Sequence, residues 1–196
     1  MKRIIGLVGN SGAGKSTAAE YLKELGADVI DADRIAHELY EMGRPGYTAV
    51  KEAFGEGFFR EDGTLDRRAL GAHVFADPKA LRALNAIVHP LVIDEVRRRR
   101  EASDKDVIVV DCALLIDAGL IEDVDEVWLV RAGEGRKRER ILRRDGIDAR
   151  QADDRLRNQS DEETLKKQAD VVIENDGTLD WLKKQIGEHY YAKSGK

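Results

Sequence analysis

The residues best suited to chemistry lie near the start of the chain, in a glycine-rich stretch. Residues 9–17 read GNSGAGKST, which fits the pattern G-x-x-x-x-G-K-[ST] of a phosphate-binding loop between a strand and a helix. The glycines let the backbone curl, so that its N–H groups and the N-terminus of the following helix surround phosphate oxygens. In such a loop Lys15 reaches the β- and γ-phosphates, and the Ser16 hydroxyl is a ligand for Mg²⁺. We therefore predict nucleotide binding here.

Carboxylates at the ends of two predicted strands are candidates for further chemistry. Asp31 and Asp33 follow the second strand, and ligands of open α/β sheets bind at the carboxyl ends of the strands. An ionised carboxylate there accepts a proton from an acceptor hydroxyl or holds magnesium through water. The alternative is that Asp33 caps a helix beginning at Arg34. Asp111 ends the third strand, where it either acts through the water shell of magnesium or bonds the lysine or serine of the loop.

Arginines at helical spacing follow the fourth strand. Four of them share one helical face: Arg136, Arg140, Arg143 and Arg144. Near a phosphate loop such a face indicates a lid, which brings guanidinium groups to the transferring phosphoryl group and excludes water. The alternative is a solvated surface. We assign Arg140 and Arg144 to the lid. His89, which precedes Pro90, is either a buried imidazole or a contact for the substrate.

Short apolar runs alternate with helical patterns and would position these residues. The predicted strands cover residues 3–8, 28–31, 106–111, 126–130 and 171–173. The run at 106–111 is apolar at consecutive positions, as in a parallel strand that is covered on both faces. The predicted helices cover residues 16–25, 34–40, 78–88, 91–100, 135–144 and 179–190, with an interruption at Pro90. The alternation predicts an α/β fold, a P-loop three-layer α/β/α arrangement around a five-stranded parallel sheet.

Two long segments separate these strands unevenly. Residues 34–104 are predominantly helical in pattern, and Asp77 with Pro78 is typical of an N-cap and a first turn. Residues 134–168 are very polar and contain Ser160 and Glu163 at the spacing of a capping box, which predicts the start of a helix. We interpret the chain as one domain, residues 1–196, with a helical insertion and a lid.

Composition narrows the class of protein. Charged residues make up 36%, hydrophobic residues 42%, and the net charge is −5, which argues against nucleic-acid binding by bulk electrostatics. No apolar run approaches the roughly 20 residues that span a bilayer. The single cysteine, Cys112, cannot form an intramolecular disulfide or a zinc cluster. We expect a cytoplasmic protein with no nucleic-acid or membrane partner, present as a monomer or a weak homo-oligomer.

Taken together, these motifs resemble those of the dephospho-CoA kinase family, over about residues 4–186. The segments that carry the resemblance are the phosphate loop, VIDAD at 29–33, GTLDRRAL at 63–70, VFADP at 74–78, HPL at 89–91, DCALL at 111–115, RDG at 144–146, Gln159, AD at 169–170 and NDG at 175–177. The chain departs from the family pattern at four positions: Asn10 for a glycine, Ala113 for a proline, Asp117 for a glutamate and Asp176 for an asparagine. None of these changes removes a phosphate-binding or proton-transferring group.

The resemblance implies a core like that of the nucleoside-monophosphate kinases, with residues 34–104 binding the coenzyme A acceptor and residues 134–168 forming the lid. It implies transfer of a phosphoryl group from ATP, with Mg²⁺, to the 3′-hydroxyl of dephospho-CoA, which is the final step of coenzyme A biosynthesis. The ATP contacts that it implies are Gly12, Ala13, Gly14, Lys15, Ser16, Thr17 and Arg144. Asp33 becomes the catalytic base, Lys15 and Arg140 the other catalytic residues, and His89 an acceptor contact. Residues 175–177 lie where the family contacts adenine.

Two other functions compete with this interpretation. A nucleoside or nucleoside-monophosphate kinase would share the core, and only the acceptor would distinguish it. A regulatory P-loop switch would bind nucleotide without an acceptor. The helical insertion at 34–104 argues against the switch, because a switch needs no acceptor region.

Overall fold

The computed structural model of the chain describes residues 2–112, 115, 119–157, 159 and 161–192. The departures at Ala113 and Asp117 and the predicted capping role of Ser160 lie outside these residues. The chain divides into two compact units. The sheet unit comprises Met1–Ile30 and Ser103–Lys196, and the helical unit comprises Asp31–Ala102.

Five strands form one sheet, and each predicted strand is confirmed to within one residue at its ends. They are β1 (Arg3–Val8), β2 (Asp28–Asp31), β3 (Val107–Asp111), β4 (Glu126–Arg131) and β5 (Val171–Glu174), in the order β2-β3-β1-β4-β5. β1 is parallel to both β3 and β4, and β4 is parallel to β5. The carboxyl ends of these strands therefore meet at one edge of the sheet, where the phosphate loop begins. The predicted α/β class is confirmed.

The described residues contain nine α-helices. They are α1 (Lys15–Glu24), α2 (Ala32–Leu39), α3 (Pro45–Phe54), α4 (Arg67–Ala76), α5 (Pro78–Ala102), α6 (Glu134–Asp145), α7 (Ala149–Arg157), α8 (Glu162–Gln168) and α9 (Leu179–Ala192). The predicted helices are present, except that those at 78–88 and 91–100 form the single helix α5. Helices α3, α4 and α7 lie in the two long segments for which only helical or polar character was predicted. Within the described residues, no helix combines the length and the apolarity that crossing a membrane requires.

The core of the sheet unit explains why β1 and its loop are held firmly. Leu7 of β1 and Trp128 of β4 are fully buried in one cluster with Leu22 of α1 and Ile186 of α9. Burial of large apolar side chains of this kind stabilises each by roughly 1.5–3 kcal/mol. The strand and the helix that flank the phosphate loop are thus anchored in the same core.

The prediction that Pro90 separates two helices is wrong, because α5 runs without interruption from Pro78 to Ala102. A proline inside a helix removes one hydrogen bond and costs about 3 kcal/mol or more. The buried residues of α5, which are Val88, Val92 and Val96, recur every four positions across the proline, so they form one apolar stripe in the helical unit. Pro90 itself is exposed, and the carbonyl that it leaves without a helix partner is on the exposed Ala86, where water can reach it.

Aspartate side chains cap the N-termini of α8 and α5. The N-cap of α8 is Asp161, whose side chain accepts a hydrogen bond from the Thr164 backbone N–H at 3.1 Å. The predicted capping box assigned this role to the preceding serine. The predicted cap of the fifth helix is confirmed, since the Asp77 side chain accepts a hydrogen bond from the Lys79 N–H at 2.8 Å.

Candidate active site

The phosphate loop joins the carboxyl end of β1 to the N-terminus of α1, as predicted. Gly12 and Gly14 have φ values of 79° and 100°, in the left-handed region that favours glycine. Helix α1 begins at Lys15 without a side-chain cap and without an acidic residue in its first turn. Its first N–H groups, including those of Ser16 and Thr17, are therefore available to an anion. The predicted phosphate contacts are thus brought together in one loop.

Neighbouring segments approach this loop so closely that its glycines cannot carry a side chain. A Cβ on Gly12 would lie 2.5 Å from the backbone oxygen of Lys137 in α6. A Cβ on Gly14 would lie 2.0 Å from the side-chain nitrogen of Asn175, which directly follows β5. These glycines are required for close packing as well as for their backbone conformation.

Lys15 and Asp111 form an ion pair at the carboxyl ends of β1 and β3. The Lys15 Nζ donates to Asp111 Oδ1, and Asp111 is only 8% exposed. The register of the two strands, with Leu7 opposite Asp111, explains why this carboxylate lies beside the loop. Of the two predicted roles for Asp111, the bond to the loop lysine is the one that the structure contains.

The donor set at the start of α1 fits a magnesium ion that is shared with a nucleotide. The described residues hold no group of three or more His, Cys, Asp or Glu side chains arranged for a metal. Magnesium, however, keeps several waters and takes only one or two protein oxygens when it binds nucleotide phosphates. The exposed Ser16 and the carboxylate of Asp111 supply oxygens of the kind that magnesium prefers.

Arg140 and Asn175 bind the outer side of the phosphate loop. Arg140 Nη1 donates to the carbonyl oxygens of Gly12 at 3.1 Å and of Ala13 at 3.3 Å. The side chain of Asn175 donates to the Ala13 oxygen at 2.7 Å. Arg140, which was predicted as a lid arginine, is therefore in contact with the loop backbone. The contact of Asn175 with the loop was not predicted, although its position after a strand is the signal that it lies at this edge.

Arg144 and Gln159 contact the loop at Ser11. Arg144 Nη2 lies 3.3 Å from the Ser11 Oγ, and the Ser11 backbone N–H donates to Gln159 Oε1 at 2.8 Å. Arg144 also donates to Asp145 at 2.7 Å, as Arg155 does. The hydrogen bond from Arg144 lowers the pKa of the Asp145 carboxyl. The hydrogen bond between the loop and Gln159 was not predicted.

Helix α6 is anchored beside the loop by charged groups. The Lys137 ammonium group, on a residue that is 7% exposed, donates to Glu162 at 2.7 Å, and Arg131 donates to the other oxygen of that carboxylate at 2.9 Å. At the N-terminus of α6 the Asp176 carboxylate accepts from the Gly133 N–H at 2.8 Å. A carboxylate at a helix N-terminus also interacts favourably with the helix dipole.

The helical unit contains Asp33, the predicted proton acceptor, and His89, the predicted contact for the substrate that accepts the phosphoryl group. The N-cap of α2 is Asp31, whose side chain accepts from the Arg34 N–H at 2.8 Å. The alternative that Asp33 caps this helix is therefore wrong, because α2 begins at Ala32 and Asp31 supplies the cap. Asp33 is exposed in the first turn. His89 is partly buried on α5, so its imidazole is neither fully enclosed nor fully solvated.

A cleft of about 600 Å³ lies within the helical unit. Its lining includes two cationic side chains, Arg34 and Arg67, and the ring of Tyr40. The lining also contains two carboxylates, Glu38 and Glu41. Burial raises the pKa of the Tyr40 hydroxyl, so the cleft presents a neutral phenol among charges of both signs. His89 does not line it.

Comparison with known proteins identifies the relatives of this chain. A family model described as Dephospho-CoA kinase matches residues 3–180. The Dephospho-CoA kinase of Symbiobacterium thermophilum is 41% identical over 196 residues, which cover 98% of this chain and 82% of that protein. The crystal structure of TT1252 from Thermus thermophilus superposes with a TM-score of 0.87 at 32% identity and covers 99% of both chains. The Dephospho-CoA kinase from Campylobacter jejuni shares the fold, with a TM-score of 0.71 at 24% identity over 97% of this chain and 96% of that one.

The geometry of the loop predicts different effects for alanine at two glycines with nearly the same φ. Gly14 and Gly26 have φ values of 100° and 98°, but a Cβ on Gly26 meets nothing within 4 Å. Both variants, Gly14→Ala and Gly26→Ala, force alanine into the left-handed region, which should lower the unfolding free energy, measured in urea, by about 1–2 kcal/mol for Gly26→Ala. Gly14→Ala should lose more, because its Cβ would also meet the Asn175 amide. Only Gly14→Ala should also weaken ATP binding, by roughly tenfold or more, because the Asn175 amide and the loop must move apart. Equal ATP affinity in the two variants would contradict the steric role.

Proposed function

The chain belongs to the dephospho-CoA kinase family, and we propose how its own residues carry out the reaction of that family. The activity is ATP-dependent phosphorylation of dephospho-CoA in coenzyme A biosynthesis, with the 3′-hydroxyl as the acceptor and ADP as the second product. The observation that carries this function is the family match over residues 3–180. The phosphate loop between β1 and α1 supplies the nucleotide site that such a reaction needs.

We assign the triphosphate of ATP to the phosphate loop. The backbone N–H groups from Gly12 to Thr17 surround its oxygens, supported by the uncapped N-terminus of α1. Lys15, which is paired with Asp111, divides its charge between that carboxylate and the β- and γ-phosphates. Arg144 adds a cation near Ser11.

Two groups stabilise the charge that develops on the transferring phosphoryl group in this proposal. Lys15 is one, and Arg140 is the other. The guanidinium of Arg140 donates to the carbonyls of Gly12 and Ala13 on the outer side of the loop, so in this proposal its fixed positive charge acts on the phosphoryl group across the loop backbone and not by direct contact. A preorganised charge requires no rearrangement during the reaction, which is the condition for effective electrostatic stabilisation.

We propose Asp33 as the general base. The 3′-hydroxyl gives up its proton to the Asp33 carboxylate as its oxygen bonds to the γ-phosphorus and the bond to the β-phosphate oxygen breaks. The support from the structure is that Asp31 rather than Asp33 caps α2, so helix capping does not account for the second acid of the Asp-Ala-Asp sequence. His89 is assigned to binding of the acceptor within residues 34–104.

Magnesium is the proposed cofactor, with Ser16 as its ligand and Asp111 as a partner that binds it directly or through water. When bound, it would be held by these oxygens and would neutralise part of the negative charge of the phosphates. The same proposal makes residues 134–168 a lid and places the enzyme in the cytoplasm as a monomer or a weak homo-oligomer. The net charge of −5 is consistent with the absence of a nucleic-acid partner.

The acceptor assignment is tested by ADP release in a coupled assay. Dephospho-CoA, AMP, CMP and shikimate are offered in turn with ATP and Mg²⁺. We expect turnover with dephospho-CoA alone, because related kinases share the core but bind different acceptors. Comparable turnover with one of the other acceptors would contradict the proposed substrate, and ADP release that is independent of any acceptor would indicate a hydrolase instead.

The role of Asp33 is tested by Asp33→Asn, with Asp31→Asn as a control of equal charge change two positions away. Asp33→Asn should lower kcat by roughly 10²–10⁴-fold, the usual contribution of a positioned general base, and leave the KM for ATP unaltered. Asp31→Asn should keep both activity and melting temperature, because asparagine caps a helix as well as aspartate does. Near-normal coenzyme A formation by Asp33→Asn would refute the assignment.

The lid is tested by amide hydrogen exchange. Only Ala152 is buried in α7, and the helix is joined to α6 by ion pairs such as Arg138 with Asp153 at 2.6 Å. The amides of α7 should therefore exchange quickly without ligand. ATP with dephospho-CoA should slow their exchange and leave that of β4, which is buried in the sheet, unaltered. Equal rates in α7 with and without both ligands would show that this helix is not part of a lid.

A further inference from the structure

Asn175 is a buried polar residue to which the proposed mechanism assigns no direct part in phosphoryl transfer. It is 7% exposed and follows the last residue of β5. Its backbone N–H donates to the Arg131 oxygen at 2.8 Å, which continues the pairing of β4 with β5 by one residue. The sheet therefore fixes the backbone of Asn175 at the edge where the phosphate loop lies.

Two hydrogen bonds connect Asn175 with the groups that bind phosphate. Its side-chain Nδ2 donates to the Ala13 carbonyl at 2.7 Å, and its own carbonyl accepts from Arg140 Nη2 at 2.8 Å. Ala13 is fully buried, so its carbonyl needs donors from the protein rather than from water. Gly14 permits this approach because it has no Cβ.

A phosphate loop works by turning its N–H groups inward, and each inward N–H requires neighbouring carbonyls to point elsewhere. A buried carbonyl without a donor is unfavourable and would tend to rotate its peptide out of this arrangement. The Asn175 amide holds the Ala13 carbonyl on the outer side of the loop. Its backbone oxygen also holds Arg140, which contacts the same carbonyl at 3.3 Å.

We propose that Asn175 is a positioning residue that presets the phosphate loop for the polyphosphate of the donor, independently of the nucleotide base. The inference rests on the proposed assignment of ATP to this loop. It differs from a base contact, the role that the family resemblance suggests for this segment, because it acts through the backbone of Ala13 and through Arg140. Removal of the Asn175 side chain should weaken the binding of any polyphosphate, with or without a nucleoside.

The test compares Asn175→Ala with the wild-type chain by titration calorimetry, using ATP, GTP and inorganic tripolyphosphate as ligands. Asn175→Ala should weaken the binding of all three by the same factor, roughly tenfold, because the loop that they share has lost one donor. Binding of dephospho-CoA, titrated without nucleotide, should be unaltered. Weaker binding of ATP with unaltered tripolyphosphate binding would establish a base contact instead, and unaltered binding of all three would overturn any role.

Gln185 offers a matched control. Its side-chain amide accepts from the Glu174 N–H at 3.1 Å and donates to the Glu174 oxygen at 2.8 Å, so it supports the residue next to Asn175 without contacting the loop in these hydrogen bonds. Gln185→Ala should lower the melting temperature and leave tripolyphosphate binding unaltered. If both variants lost tripolyphosphate binding equally, Asn175 would act only by stabilising the end of β5, and the proposed positioning of the loop would be wrong.

A second variant separates loss of side-chain volume from loss of the amide. Asn175→Leu keeps a side chain of similar size but removes the amide, and it should bind tripolyphosphate as weakly as Asn175→Ala does if the lost donor is the cause. Because tripolyphosphate binding requires no acceptor, the outcome does not depend on which acceptor the enzyme phosphorylates. If dephospho-CoA were not the substrate, the difference between the wild-type chain and the variants would remain; if the loop did not bind polyphosphate at all, the wild-type chain would show no binding.

Discussion

The constraint on which the sheet unit depends is the orientation of the peptides in the phosphate loop. A backbone that turns its N–H groups toward an anion turns carbonyls away from it, and these carbonyls must find donors on the other side. Arg140 and Asn175 supply those donors to Gly12 and Ala13. Helix α6 and the end of β5 therefore have to lie against the loop, and this requirement explains why Gly12 and Gly14 leave no room for a Cβ beside them.

A second requirement follows from the positive charge that α6 and Lys15 bring to the phosphate loop. Helix α6 carries six basic residues in the sequence EGRKRERILRRD, next to a loop that already contains Lys15. Carboxylates on other elements compensate for part of this charge: Glu162 pairs with Lys137, Asp153 with Arg138, and Asp111 with Lys15. In the absence of phosphate these pairs limit repulsion among the cations. A triphosphate adds negative charge at the same place, so the loop can accept it by redistributing the existing pairs.

Local patterns predicted much of the fold, and long-range contacts account for most of what they missed. The strands were predicted to within one residue because continuous apolar runs and the glycine-rich loop are local signals. The effect of Pro90 was predicted wrongly because helix rules describe the isolated segment, whereas the burial of Val88, Val92 and Val96 on both sides of the proline favours one continuous helix. The bond between Asn175 and Ala13 joins residues 162 positions apart, and no pattern within one segment of the sequence predicts it.

The Asp-Ala-Asp sequence after β2 shows how a cap and a candidate for catalysis can be separated by structure. Both acids are aspartates, a residue type that is favoured at the N-cap, but only one of them can cap a given helix. The bond from the Arg34 N–H to the Asp31 side chain fixes the start of α2 at Ala32. Asp33 then lies in the first turn, where its side chain is exposed on a helix whose N-terminus is already capped by Asp31. The cap at Asp31 thus fixes the backbone position of Asp33. A proton acceptor needs a fixed position of this kind, because catalysis depends on its distance to the substrate hydroxyl.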